Sequence, residues 1–170
     1  MRTWRTCWER LFDVSRLPGE GALTEHRERI LRIERTFHAP IEQVFDAWTS
    51  EDVLRRWLHA DPGWETPIAK VDLRVGGTIR IVMRDPVDGD EHGATGQYRL
   101  IERPHRLVFS WTFDDHPENR QLIELEFSER DGMTSVVMIN SGIATERQGS
   151  DQQSGWQKCY DNLERALATS

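Results

Sequence analysis

The hydrophobic period of this chain changes once, and late. Leu107, Phe109, Trp111 and Phe113 alternate with Val108, Ser110 and Thr112. Ile123, Leu125 and Phe127 alternate with Glu124 and Glu126, and Val136 and Met138 with Val137 and Ile139. Such alternation puts one set of side chains on one face of an extended strand. Further on, Trp156, Cys159, Tyr160, Leu163, Ala166 and Leu167 fall three and four apart instead, with Lys158, Asp161, Glu164 and Arg165 outside the stripe. That spacing predicts one long amphipathic helix over 150–167, with Ser150 or Ser154 as its cap. A sheet with one apolar face must bury it, and this helix is the only predicted element long enough to do so. The expected class is α+β, a curved antiparallel sheet of about seven strands closed by the final helix.

The remaining elements fit the same plan. Leu31, Ile33 and Phe37 alternate with Arg32, Glu34 and Thr36, predicting a first strand from Ile30. Ala39-Pro40 follows, and Pro40 suits a first helical position, after which Ile41, Val44, Phe45 and Trp48 share one helical face. Thr49 with Asp52 resembles a capping box opening a second short helix, with Val53, Leu54, Trp57 and Leu58 as its buried stripe. Gly63 to Pro67 reads as loop. Strands are then expected over Ile68 to Val75, Thr78 to Arg84 and Thr95 to Glu102, with Gly76-Gly77, Asp85 to Asp90 and Arg103-Pro104 as turns. Residues 1–28 differ: Trp4, Trp8 and Leu11 suggest a short helix, and Pro18-Gly19-Glu20-Gly21 a linker. The expected organisation is an extension, residues 1–28, followed by one domain, residues 29–170.

Composition narrows the partners. Lys and Arg total 22 against 29 Asp and Glu, a net charge of −7, which repels phosphate backbones and makes nucleic acid a poor partner. No apolar run approaches the ~18 residues of a membrane span. The two cysteines, Cys7 and Cys159, are too few for a disulfide framework or a zinc cluster and suit a reducing cytoplasm. His26, His38, His59, His92, His105 and His116 show no metal-binding spacing. Asp85, Asp88, Asp90 and Glu91 lack the frame of a calcium loop and are expected to form a solvated turn. Gly76-Gly77 joins two strands and so forms a turn, not a phosphate cradle. No metal or cofactor is expected. Asp72 and Arg74 are placed to form a local ion pair ahead of that turn, and Cys159, on the apolar face of the last helix, reads as a buried inert thiol.

Several segments together resemble the START-like (SRPBCC) superfamily, and within it the AHSA-type branch, related to the C-terminal domain of the activator of the ninety-kilodalton heat-shock chaperone's ATPase. They are Arg35 to Pro40, Val44 to Thr49, Asp72 to Gly77, Gly96-Gln97-Tyr98, Arg106 to Phe109, and Gly155-Trp156 followed by Leu163. The likeness runs from about Ile30 to Leu167 with order and spacing intact. It implies the helix-grip fold, in which the sheet wraps the last helix. Two features depart from the pattern: Arg56-Trp57-Leu58 offers one tryptophan where relatives often carry a pair, and residues 1–28 fall outside it. The chaperone activator also engages its client through a separate domain, so stimulation of the chaperone is not carried over.

In such a fold the inward strand positions and the helix stripe bring Trp57, Trp64, Met83, Tyr98, Phe109, Trp111, Ile123, Met138, Trp156 and Tyr160 toward one space. These side chains would suit a small apolar ligand, and they would equally suit a core filled without a cavity; the resemblance to a cavity-bearing superfamily favours the ligand. Three functions follow from different classes. The first is a non-catalytic binder of a small apolar ligand. The second is an enzyme of the polyketide cyclase or hydratase kind, for which Tyr98, Tyr160 and Asn140 are the inward polar candidates and no catalytic set is evident. The third is a co-chaperone-like protein acting through its surface, where Trp4 and Trp8 are the only apolar stretch outside the domain. The first fits best. Because no domain element is drawn from residues 1–28, deleting them should leave the melting temperature nearly unchanged; a calorimetric drop of many degrees would refute that organisation.

Overall fold

The computed structural model describes residues 29–61 and 63–169. The helix and linker expected in residues 1–28 therefore lie outside the described residues. The alternating segments pair as seven antiparallel strands of one sheet: β1 (Arg29–Phe37), β2 (Glu65–Val71), β3 (Thr78–Arg84), β4 (Glu91–Glu102), β5 (Arg106–Phe113), β6 (Gln121–Arg130) and β7 (Met133–Ile143). Among the described residues three helices accompany them: α1 (Ile41–Thr49), α2 (Glu51–Trp57) and α3 (Glu146–Ala168). The strand order is β1-β7-β6-β5-β4-β3-β2, so every neighbour except β1 with β7 is a neighbour in sequence. This is the expected α+β helix-grip fold, with the long C-terminal helix against the sheet. None of the described helices is long and apolar enough to cross a membrane.

Register turns the sequence alternation into layers. Tyr98 faces Phe109, Phe109 faces Ile123, Ile123 faces Asn140 and Asn140 faces Leu31, so one row of side chains crosses the sheet from β4 to β1. All five are buried. A parallel row runs Ile101, Leu107, Leu125, Met138 and Ile33. Asn140 is the polar member of the first row, and it is fully buried.

Four local expectations give way to tertiary contacts. The second strand spans Glu65–Val71, not Ile68 to Val75. The alternation of Leu73 and Val75 imitates a strand, but these two side chains are 40% and 63% exposed and have no face to bury. The chain turns there instead, with Asp72 N–H donating to Thr78 O, Gly77 N–H to Arg74 O, and the Asp72 carboxylate paired with Arg74 Nε at 2.9 Å. A side chain at Gly77 would bring its Cβ within 2.0 Å of Asp72 O, so glycine is required by the close approach. Strand β4 starts at Glu91, earlier than Thr95, because Glu91 and His92 still find partners on β3. Pro40 stands at the cap of α1 and Ser50 at that of α2; Thr49 caps nothing, its hydroxyl donating to Phe45 O at 3.1 Å. Finally, α3 starts at Glu146, ahead of both serines. Thr145 Oγ1 accepts from Gln148 N–H at 3.1 Å while Gln148 Oε1 accepts from Ala144 N–H at 2.8 Å. The reciprocal Thr-x-x-Gln cap satisfies two otherwise orphaned donors, and it starts the helix nearly three turns before the apolar stripe begins at Trp156.

The helices are joined by one aromatic cluster. Trp48 of α1 meets Trp57 of α2 edge to face with ring centres 4.8 Å apart, and it stacks on Trp156 of α3 at 5.9 Å. It also meets Tyr160 at 6.0 Å, and Tyr160 meets Phe37 of β1 at 5.6 Å. Trp57 Nε1 donates to Ala47 O at 2.9 Å, so the two short helices are tied by a hydrogen bond as well. Trp48 is 2% exposed. Its replacement by alanine should cost about 3–5 kcal/mol in urea unfolding, the usual range for a large aromatic removed from a packed core; a loss below about 1 kcal/mol would show that the cluster is not a packing centre.

Candidate functional site

The last helix does not cover the sheet evenly. It lies close to β1, β7, α1 and α2, and it stands off from the β3 to β5 half. A pocket occupies the gap. Its sheet wall is Ile81 and Met83 of β3 with Trp111 and Phe113 of β5. Its helix wall is Asp151, Gln152, Gly155, Trp156 and Cys159 of α3, and Leu58, Ala60 and Trp64 close a third side from the segment between α2 and β2. The alternation of β3 and β5 explains the sheet side, since residues two apart share a face. On α3, Gln152, Gly155, Trp156 and Cys159 recur at three- and four-residue spacing and so form one stripe.

The hollow has a volume of about 60 Å³ within a half-open depression of about 590 Å³ that includes open solvent. The smaller volume is several times the ~10–15 Å³ that one water needs. Glycine at 155 keeps the helix surface low between Gln152 and Cys159. The segment 58–61 is held from α3: Asn162 Nδ2 donates to His59 O at 2.7 Å, Cys159 Sγ to the same oxygen at 3.4 Å, and Lys158 Nζ pairs with Asp61 Oδ1 at 3.1 Å. Trp64 stacks on His92 with ring centres 5.4 Å apart, which links this side of the pocket to β4.

Of the ten side chains expected to share this space, Trp64, Met83, Trp111 and Trp156 stand on the pocket wall. Trp57, Tyr98, Phe109, Ile123, Met138 and Tyr160 do not. All six are buried in the core, none more than 2% exposed. The reason is the uneven seating of the helix on the sheet. Tyr98, Phe109 and Ile123 belong to the row that crosses the sheet, where they pack on one another, Tyr98 and Phe109 edge to face at 5.9 Å. Trp57 and Tyr160 are consumed by the cluster around Trp48. Burial pushes the phenols of Tyr98 and Tyr160 above their ordinary range, so neither is an anion or a ready proton donor at neutral pH. Leu58, Ala60, Ile81, Phe113, Asp151, Gln152, Gly155 and Cys159 are wall residues that the strand and helix patterns did not single out as site residues. The stripe on α3 marked Cys159 as buried. Gln152 and Asp151 carried no signal, because they precede the apolar part of the stripe.

The chemistry of the wall is lopsided. Nearly all of it is apolar, and polar atoms gather where α3 begins. Gln152 Oε1 accepts from Asn140 Nδ2 at 2.8 Å, and the other N–H of the same amide donates to Gln121 Oε1 at 3.0 Å. These three side chains are 6%, 0% and 2% exposed. Asp151 lies beside them, its Oδ2 4.0 Å from Arg147 Nε. Cys159 is buried, and burial pushes its thiol up to about 12, which removes it as a nucleophile near neutral pH. No group of three or more metal-binding side chains is found among the described residues.

Comparison with known proteins agrees with this architecture. Residues 38–168 match the model of the activator of Hsp90 ATPase homolog 1-like proteins. An AHSA1-like protein from Aeromonas hydrophila, solved in solution, is 30% identical, with 82% of this chain and 93% of that one covered and a TM-score of 0.67. A protein from Rhodobacter sphaeroides is also 30% identical, covering 82% and 92% of the two chains at a TM-score of 0.71. A protein from Chromobacterium violaceum shares the fold at 21% identity, 82% and 97% coverage and a TM-score of 0.73. No protein of curated function matches the chain. Seven strands gripping a long C-terminal helix, together with a family match over most of its length, place the chain in the family of activator of Hsp90 ATPase homolog 1-like proteins, within the START-like superfamily.

Proposed function

We propose that this protein binds a small, predominantly apolar ligand in the pocket between α3 and the β3 to β5 half of the sheet, without transforming it. The observation that carries this reading is the stand-off of α3, which leaves Trp64, Met83, Trp111, Phe113 and Trp156 around a hollow. Apolar walls of this kind favour hydrophobic transfer of a ligand, and Trp and Met supply large or adaptable contact area. An enzyme of the cyclase or hydratase kind needs an acid or base in reach of the bound molecule. Tyr98, Tyr160 and Asn140, the inward polar candidates for that role, are off the wall, and the carboxylate residue on it, Asp151, has its Oδ2 4.0 Å from Arg147 Nε. The net charge of −7 argues against nucleic acid as a partner, as before.

The test begins with native mass spectrometry of protein purified from its own host. A discrete added mass that disappears on unfolding is expected, together with its loss in Ala60→Phe, which fills the pocket from one side. A bare mass in the wild type, with no thermal shift across a set of apolar metabolites, would overturn the proposal. The state of Cys159 gives a second check. In a Cys7→Ser background, its thiol should resist a soluble disulfide reagent at pH 8 until denaturant is added, because a group with a pKa of about 12 is almost wholly protonated there. Rapid modification of the folded protein would mean an exposed or activated thiolate and would reopen a catalytic role for the wall.

A further inference from the structure

The pocket and the point where the N-terminal segment enters the domain lie at one end of the sheet. Strand β1 begins at Arg29, which pairs with Ile143, the last residue of β7. In an antiparallel sheet that end also carries the finish of β3 and β5. Met83, Trp111 and Phe113 stand near those finishes, and Trp64 stands just ahead of β2, whose start is at the same end. The helix that supplies the opposite wall starts at Glu146, three residues after Ile143. Across the sheet, β1 is three strand spacings from β5 and five from β3, about 14 Å and about 24 Å. The chain from Trp8 to Arg29 can reach up to ~70 Å, so the pocket is well within its range. Charge is divided in the same sense. Residues 1–17 carry four arginines against Glu9 and Asp13, a net +2, together with the stripe of Trp4, Trp8 and Leu11. The rest of the chain carries 18 Lys and Arg against 27 Asp and Glu, a net −9. Seven of these carboxylates fall in 85–91 and 114–118, the connections that follow β3 and β5 at the pocket's end, and neither connection holds a Lys or Arg. Two of the seven, Glu91 and Asp114, are paired with Arg84 and Arg80.

We propose that the N-terminal segment docks on the pocket of its own chain, with the indole of Trp4 or Trp8 in the hollow and its arginines toward the acidic connections, and that a ligand enters by displacing it. The docking needs only the apolar hollow, whereas the displacement rests on the pocket being a ligand site. A small hollow inside a wider, half-open depression takes one apolar side chain deep and leaves its carrier segment in the depression. Tryptophan brings large apolar area for such a plug. Tethering holds the segment at an effective concentration on the order of mM, so contacts too weak to retain a free peptide suffice. Opposite charge favours this end of the molecule over others, and that preference fades as salt is raised. A docked-to-open ratio of about ten lowers the apparent affinity of a competing ligand about tenfold. The same ratio shifts the melting temperature by only a few degrees, so the domain stays folded without the segment.

The test keeps the full chain. In Cys7→Ser/Thr6→Cys a nitroxide is attached on the polar side of the Trp4, Trp8 and Leu11 stripe, Cys159 being buried. In the NMR spectrum of this protein, labelled with nitrogen-15, backbone amides of the pocket wall from Trp111 to Phe113 should broaden. Those from Glu102 to Arg106, at the opposite end of β4 and β5, should stay sharp. No broadening of the wall would overturn the docking. Broadening that persists when nitroxide and isotope are on different molecules would assign the occupant to a second copy and overturn docking within one chain. Displacement is read with a neutral apolar probe, N-phenyl-1-naphthylamine, by fluorescence titration. Trp4→Ala/Trp8→Ala should bind it about tenfold more tightly than the wild type. Equal binding by both proteins, with the wall unbroadened, would overturn the docking and leave the ligand reading standing. Binding by neither, with the wall broadened, would overturn the displacement and the ligand reading and leave the docking.

Discussion

The packing of Trp48 against α2 and α3 sets the geometry on which the rest of the molecule depends. Its indole touches Trp57, Trp156 and Tyr160, and Tyr160 carries the contact on to Phe37 at the end of β1. The three helices therefore meet on one side chain, and β1 joins them through Tyr160. Rigid aromatic rings hold such a meeting at a fixed distance, because offset and edge-to-face arrangements are favoured over a narrow range of separations. The helix is thereby anchored over the β1 side of the sheet. A straight helix cannot follow the curvature of a seven-stranded sheet along its whole width, so contact on one side entails a gap on the other.

That gap is the pocket, and Trp156 belongs to both places. It stacks on Trp48 and it forms part of the wall. The anchoring cluster and the candidate site are thus continuous, and the hollow is a consequence of how the core is packed, not an insertion into it. The remaining side is tied to α3 through Asn162, Lys158 and Cys159, which hold the backbone and carboxylate of the segment 59–61. Polar side chains on the flank of an amphipathic helix here do structural work that shapes the site. The buried amides of Gln121, Asn140 and Gln152 do the reverse: they interrupt the apolar interior with a hydrogen-bonded network that ties β6 and β7 to α3.

Much of the fold was legible because one-dimensional period and two-dimensional layering are the same constraint. Strand positions two apart must share a face, and helix positions three and four apart must share a stripe. The strands from β3 to β7 and the apolar stripe of α3 follow from this. The failures are equally local in origin. Leu73 and Val75 alternate like a strand, yet backbone hydrogen bonds around Asp72 and Gly77 turn the chain there. Thr145 and Gln148 form a cap whose pattern is present in the sequence, but the apolar stripe that draws attention to the helix begins only at Trp156, nearly three turns further on. The site was half legible: Trp64, Met83, Trp111 and Trp156 reach the wall, whereas Tyr98, Phe109 and Ile123 face inward as expected and are spent on each other.

The sequence by itself determined which side chains turn inward and that one long helix must cover an antiparallel sheet. Those properties follow from periodicity and from the need to remove an apolar face from water. Only the tertiary structure decided where the inward side chains meet and where they part. Whether an inward residue packs or lines a hollow depends on where α3 is seated on the sheet, which is set by contacts among residues far apart in the chain, such as Trp48 with Trp156. No period along the sequence encodes a distance between two elements, so the pocket and its polar end became visible only when those elements were in place.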